Sequence, residues 1–212
     1  MYVKRQKIPK TWPLSRKGTK YLAVPKHNLK KGIPLVIILR DILKLVGTNK
    51  EAKKILNMNK VKVNHKVIRK ERYPLTLFDV LSLDDKNFKL VLEKKKFGIV
   101  EAKGKDAEEK IIKVIGKKTV KKGALQVNLS DGRNYVIKEN VKVGDSAVLN
   151  LKENKISEIL PFKEGAKIIF ITGKHIGEKG TIENIDEKKK IIELKVDSEK
   201  INGKRESLLV IK

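Results

Sequence analysis

The chain has 212 residues, with 51 Lys and Arg against 25 Asp and Glu, a formal net charge of +26, 40% hydrophobic residues and no cysteine. That length makes one large domain or two to three small ones, and the apolar content is enough to build a core, which excludes wholesale disorder. Without cysteine a disulfide scaffold, thiolate metal sites and thiol catalysis are excluded; no apolar run approaches the ~20 residues that span a bilayer, and the basic start with no apolar stretch behind it leads us to expect a soluble, cytoplasmic chain without a membrane partner.

So large a positive surplus repels itself unless a polyanion takes it up, and nucleic acid is the commonest such partner; an anionic membrane surface or bare solubilisation are the rival readings. Lysines outnumber arginines 44 to 7, which suits neutralisation of phosphates by point charges better than bidentate reading of bases. The first 83 residues carry +17 of the +26.

Residues 1–33 hold ten cations (Lys4, Arg5, Lys7, Lys10, Arg16, Lys17, Lys20, Lys26, Lys30, Lys31) and no acid, the first being Asp41. Pro9, Pro13 and Pro25 lie inside the segment and Pro34 at its edge, and neither helical nor strand periodicity is visible. Such a stretch has no means of offsetting its ordering entropy alone, so an extended basic arm that orders on nucleic acid is expected. Its aromatic residues, Tyr2, Trp12 and Tyr21, suit stacking on bases; Trp12 equally suits packing on the next domain.

From Pro34 the pattern becomes compact. Leu35, Ile38, Leu39, Ile42 and Leu45 recur at helical spacing, with Pro34 suited to the first turn and Gly47 to the end. Thr48 and Glu51 then make a capping box for a second helix with Ala52, Ile55 and Leu56 on its apolar face and Lys50, Lys53 and Lys54 elsewhere. Val61 and Val63 alternate with Lys60 and Lys62 before Asn64-His65, which predicts a hairpin. Leu75, Leu77, Val80 and Leu83 close the unit.

Residues 84–162 read as strands and turns, most economically an antiparallel barrel or curled sheet. Asp131-Gly132 between two alternating runs is a strong hairpin signal. Two or three further strands flank Gly144-Asp145 and Glu153-Asn154, and Glu108, Glu109 and Lys110 are expected to lead a short helical or turn segment. From Lys163 onward Gly165, Gly173, Gly177 and Gly180 punctuate β-rich segments, each able to take a turn conformation that other residues find strained.

No catalytic constellation is visible. Gly98 and Gly104 are separated by five residues, which does not fit a P-loop, and Asp106 stands where Ser or Thr would hold magnesium. His27, His65 and His175 lie in different units with no carboxylate at ligand spacing, and a surface or RNA-facing role suits them better than a metal. The pairs Asp84-Asp85 and Glu108-Glu109 read as solvated turns, and Ser15, Ser82, Ser130 and Ser146 have no nucleophile-elbow context.

Three resemblances emerge. The helix GTNKEAKKIL followed by VKVN and HKVI resembles the small RNA-binding domain named after bacterial small-subunit ribosomal protein four, with Lys50 for the usual Arg, Asn59 where Gly is common, and His65 for the hairpin Gly. That domain also occurs in pseudouridine synthases, a tyrosyl-tRNA synthetase appendage and a heat-shock RNA-binding protein. The glycine spacing before Thr181-Ile182 resembles the KOW motif of SH3-like barrels in ribosomal proteins and elongation factors. Taken in order with PKTWPL, PLVIILRD, DGRNY, VKVGDS and TGKHIGEKG, the whole chain resembles the archaeal and eukaryotic small-subunit ribosomal protein family S-four-e.

The resemblance implies a multidomain α+β chain: a basic extended N-terminal arm (1–33), a small α+β RNA-binding domain of helix pair plus hairpin (34–95), a β-rich central domain (96–162) and a C-terminal SH3-like KOW barrel with its tail (163–212). It implies a non-catalytic constituent of the small subunit that uses no cofactor, metal or small-molecule substrate, is not an independent homo-oligomer, and meets small-subunit rRNA and neighbouring ribosomal proteins. A regulatory or RNA-modification factor is the runner-up, but no stretch is left over for a catalytic domain. The expected RNA-facing residues are Lys4, Arg5, Lys7, Lys10, Trp12, Arg16, Lys17 and Lys20 of the arm, and Arg40, Lys44, Lys50, Lys53, Lys54, Lys60, Lys62, Lys66 and Arg69 of the next domain. Lys174 and Lys179 join them in the KOW loop, where Gly173, Gly177 and Gly180 are expected to have backbone roles.

Overall fold

The computed structural model describes residues 2–29, 31–84, 86–120, 124–186, 191–196 and 199–212; Lys30 of the arm and Asp85 of the Asp84-Asp85 pair lie outside them. The chain forms two compact units, Met1–Glu108 and Glu109–Lys212, and is mostly β with few helices.

The first unit begins with β1 (Tyr2–Lys4) antiparallel to β2 (Tyr21–Ala23). Tyr2 faces Ala23 and Lys4 faces Tyr21, so these four share one face, while Val3 and buried Leu22 share the other. The arm is therefore folded onto the protein, where the sequence predicts no structure of its own. Trp12 is only 2% exposed and its indole N–H donates to the Gly32 carbonyl at 3.3 Å. The Thr11 carbonyl accepts from the Phe97 amide at 2.7 Å, and the Arg72 guanidinium donates to the Val24 carbonyl at 2.7 Å. A few apolar anchors set between cations suffice, because the lysines keep their charged ends in water while Trp12, Leu22 and Val24 are buried.

β3 (Ile33–Pro34) leads into helix α1, regular over Leu35–Ile37 and widened over Ile38–Ile42, where the Leu43 amide reaches back five residues to the Ile38 carbonyl at 2.9 Å. It stops short of the expected end at Gly47. Lys44 takes a left-handed φ of 53° and the Leu45 amide closes on the Leu39 carbonyl at 2.9 Å, which turns Leu45 out to 56% exposure and buries Val46 instead. Gly47 belongs to the next element, its amide donating to the Glu51 carboxylate at 2.8 Å.

Helix α2 (Asn49–Asn57) has the predicted capping box and buries Ala52 and Leu56. Asn59 follows in the left-handed conformation that a glycine would otherwise supply. Then come β4 (Val61–Val63), β5 (Lys66–Val67), β6 (Pro74–Leu75), β7 (Val80–Leu83), β8 (Lys86–Glu93) and β9 (Lys96–Glu101). β3 pairs with β6, and the other five form a sheet in the order β5-β4-β7-β8-β9. Asn64 and His65 both have positive φ, 50° and 62°, as a two-residue hairpin turn requires. The β8–β9 hairpin crosses the expected boundary at 95/96, so residues 96–101 complete the first sheet.

The second unit opens on the longest strand, β10 (Glu109–Thr119), followed by β11 (Leu125–Leu129), β12 (Asn134–Ile137), β13 (Ser146–Asn150) and β14 (Lys155–Leu160), in the order β12-β11-β10-β13-β14. The expected helical turn at Glu108–Lys110 is displaced to Gly104–Ala107. Glu109 and Lys110 are strand residues because Lys110, Ile112 and Val114 alternate inward, the lysine 3% exposed and its ammonium 3.5 Å from Asp131. β10 pairs with β13 through its first half and with β11 through its second, with a register shift between Val114 and Gly116, which makes a curled sheet. The Asp131-Gly132 turn joins β11 to β12 as predicted, with Gly132 at φ 89°.

A last sheet comprises β15 (Lys167–Phe170), β16 (Lys179–Asp186), β17 (Ile191–Val196), β18 (Glu199–Gly203) and β19 (Leu208–Val210), in the order β18-β17-β16-β15-β19. Phe162, Ile168, Phe170, Ile182, Leu194 and Leu208 fill its core. Within this unit the two sheets are stitched by polar groups. The Val210 amide donates to the Ser146 hydroxyl at 3.0 Å, the Phe162 amide to Asp145 at 2.9 Å, and the buried Lys113 ammonium to the Leu208 carbonyl at 2.9 Å and to that of Arg205.

Candidate nucleic-acid interface

On α2 the capping box decides which side chains are free to meet a ligand. The Thr48 hydroxyl accepts from the Glu51 amide at 3.3 Å, and the Glu51 carboxylate accepts in return from Gly47 and Thr48. The Gly47 amide, then the Thr48 hydroxyl and amide, hold the Glu51 carboxyl below the ordinary glutamate range, so it stays ionised as the helix anchor. With Ala52 and Leu56 inward, Lys50, Lys53 and Lys54 are all exposed, and Lys53 has Glu71 at 3.6 Å.

The hairpin adds Lys60 and Lys62, both exposed, with Lys60 3.8 Å from Asp84. It does not bring Lys66 to the same face, since the register sets Lys66 opposite Val63 and Lys62 opposite Val67. Arg69 is exposed but donates to Asn59 at 3.0 Å, bracing the turn after α2.

The arm and α1 line one groove of about 930 Å³, which gathers Arg5, Lys17, Arg40 and Lys44. Arg5 is held in place: it donates to the Thr19 carbonyl at 2.8 Å, the Ser15 carbonyl at 2.7 Å and the Thr19 hydroxyl at 3.1 Å. Its guanidinium lies where a Cβ on Gly18 would come within 2.8 Å, and Gly18 has φ 136°, which explains that glycine on both counts. Arg40 is braced at 2.9 Å by Asp41, the only acid of the groove among the described residues. Lys4, Lys7, Lys10, Arg16 and Lys20 are exposed along the arm, but Trp12 is in the core and offers no ring face to a base. The exposed rings of the arm are instead Tyr2 at 73% and Tyr21 at 53%, the other two aromatics suited to stacking on bases.

In the last sheet, Gly173 and Gly177 have φ of 101° and 85°, and the Gly177 amide donates to the Phe170 carbonyl at 2.9 Å. Gly180 has no positive φ; its constraint is contact, since a Cβ there would lie 2.5 Å from the Lys195 carbonyl. Lys174 and Lys179 are exposed on either side of a His175–Glu178 pair at 2.7 Å. His27 sits edge-on to Tyr73, and His65 occupies the hairpin turn. Among the described residues no three His, Cys, Asp or Glu stand together as a metal site.

These basic surfaces sit on a β-rich scaffold shared with known proteins. Residues 84–156 match the model of Ribosomal family S4e. A small ribosomal subunit protein eS4 from Methanosphaera stadtmanae is 40% identical over 191 residues, covering 87% of this chain and 79% of the relative. That from Methanococcus aeolicus is 38% identical over 203 residues, covering 88% and 82%. The crystal structure of the 30S ribosomal protein S4e from Thermoplasma acidophilum superposes with a TM-score of 0.75 at 26% identity, covering 85% of this chain and 95% of that one. The chain belongs to the S4e family of small-subunit ribosomal proteins, structural constituents of the ribosome and not enzymes.

Proposed function

We propose that this protein binds and stabilises folded small-subunit rRNA through the exposed cations of its first unit, as a non-catalytic constituent of the cytoplasmic small subunit. The observation that carries the reading is the sorting on α2 and its hairpin: Ala52, Leu56, Val61 and Val63 are buried while Lys50, Lys53, Lys54, Lys60 and Lys62 are exposed. Lysines so placed displace counterions from phosphates, and rigid elements behind them fix the RNA helices they touch. The last sheet, an SH3-like KOW barrel on this reading, adds Lys174 and Lys179 from a loop shaped by Gly173 and Gly177. Neighbouring ribosomal proteins are its other partners, and it forms no homo-oligomer of its own.

Sedimentation on sucrose gradients tests the placement. The protein is expected to travel with small subunits and to be released by salt; free protein at low salt would remove the ribosomal reading. Reversing Lys50, Lys53 and Lys54 to Glu together is expected to weaken rRNA binding and to lower the log–log salt slope by about 0.7–0.9 for each phosphate that is no longer neutralised. An unchanged slope would place α2 away from the RNA.

A further inference from the structure

The β1–β2 pair has an unusual outer face. Its register puts Tyr2, Lys4, Tyr21 and Ala23 on one side, and both tyrosines are more than half exposed although Val3 and Leu22 behind them are turned inward. Tyr2 and Tyr21 occupy diagonal positions, which on an antiparallel pair stand about 7–8 Å apart. That is about twice the ~3.4 Å step between stacked bases, so one flat base fits between two rings so placed. Both tyrosines, with Leu22 between them and the interior, line the groove that Arg40 of α1 and Lys44 just beyond it also border.

The cations beside the rings are prepared for phosphate. Arg5 is next in the chain after Lys4, and three of its five N–H groups are spent on Ser15 and Thr19. The two that remain belong to a guanidinium already held in one orientation, so little entropy is lost when a phosphate takes them. The Lys20 ammonium lies 5.5 Å from the centre of the Tyr21 ring. Asp41 is the one acid among the described residues lining the groove, and Arg40 already neutralises it. Exposed aromatics alone would suit a protein partner equally; a rim of cations whose one acid is already paired selects a polyanion, and rings with cations select one that carries bases.

We infer that this groove is a clamp for unpaired RNA, with a base stacked on Tyr2 and Tyr21 and its flanking phosphates taken by Arg5 and Lys44. The inference rests on the RNA-binding reading above and narrows it: the arm seizes a single-stranded nucleotide, whereas α2 and its hairpin meet phosphate backbone. Base–aromatic stacking tolerates any sequence, so the clamp reads unpairedness and not base identity.

The test uses the full chain and a fluorescent single-stranded RNA of about ten nucleotides, beside an abasic oligomer with the same phosphates. Losing stacking on one ring is expected to weaken binding by about 5- to 150-fold, so the intact oligomer should bind the unaltered protein at least fivefold more tightly than the abasic one. In the Tyr2→Ala, Tyr21→Ala double variant the two oligomers should bind alike, with the salt slope unchanged, and Tyr2→Phe with Tyr21→Phe should restore the preference. Equal binding of the intact and abasic oligomers by the unaltered protein overturns the clamp, without needing any variant to fold. An rRNA fragment that binds tightly while the double variant keeps full affinity for the single strand also overturns it, and leaves the rings to a protein partner. Should neither the fragment nor the oligomer bind at low salt, the RNA reading falls first and the clamp with it.

Discussion

The two units are built from similarly lysine-rich sequence and use it differently. Residues 1–108 hold 28 cations against 10 acids, residues 109–212 hold 23 against 15. In the second unit several lysines are tied closely to carboxylates. Lys200 pairs with Glu183 at 2.9 Å, and this hydrogen bond raises the lysine above its usual range and holds the glutamate below its own. Lys212 is raised in the same way, first by Glu109 and then by Glu158. Lys110 and Lys113 go further and are drawn inside. In the first unit Arg5, Arg69 and Arg72 brace loops, Lys53 and Lys60 have acids only at 3.6 and 3.8 Å, and the described lysines of α2, the hairpin and the arm stay at the surface. A count of cations therefore overstates how much of the protein is interface; what matters is how many are left unanswered by acids on a surface held rigid from behind.

That contrast breaks first at Trp12. If the arm were the solvated tail its composition suggests, Trp12→Ala would leave stability untouched. Because the indole is buried, the substitution is expected to cost about 3–5 kcal/mol in chemical denaturation. It should also open residues 2–29 to trypsin, whereas the unaltered arm resists cleavage without RNA. A free-protein arm that is trimmed at once, with no loss of stability in the variant, would return it to an extended tail.

The second unit is probed at Gly180. Its Cβ would meet a backbone carbonyl that has nowhere to go, so Gly180→Ala is expected to destabilise that unit by about 1–3 kcal/mol by overpacking. An unaffected variant would mean that β16 and β17 can separate there at little cost.

The surface of the first unit depends on its cap. Thr48→Ala is expected to cost about 1 kcal/mol and to weaken rRNA binding through loss of the helix that presents Lys50, Lys53 and Lys54. The smallest effect is the pH dependence of the same cap. The folded-state pKa of Glu51 lies below its unfolded value, so its contribution is complete above the unfolded value and is lost as pH falls through the folded one. Glu51→Gln is expected to flatten the acid limb of a stability–pH curve slightly; an identical limb in both proteins would show that the cap carboxylate is not titrating there.

Local signals were legible where a residue's neighbours in sequence are also its partners in space. The Thr48–Glu51 box, the Asn64-His65 and Asp131-Gly132 turns, and the positive φ of Gly173 and Gly177 follow from chemistry within a few residues. The end of α1 was not legible: nothing local marks Lys44, rather than Gly47, as the left-handed residue, and it is Val46 that becomes buried in place of Leu45. Nor was the strand character of Glu109 and Lys110, since a lysine enters a core only when a carboxylate such as Asp131, from another part of the sheet, waits there.

The sequence by itself determined the family, the absence of a catalytic constellation among its motifs, and the concentration of charge in the first 83 residues, because composition, turn residues and short-range periodicity survive in one dimension. Only the tertiary structure decided which aromatics and cations face outward. Trp12 and Tyr2 are equivalent as letters in a basic, proline-rich stretch, and they part company because the Gly32 carbonyl twenty residues on takes the Trp12 indole N–H and Phe97 holds the neighbouring Thr11, which makes a buried place for one ring and none for the other. Burial is a property of the long-range pairing that closes the core, and that pairing is what a linear pattern of cations and aromatics does not carry.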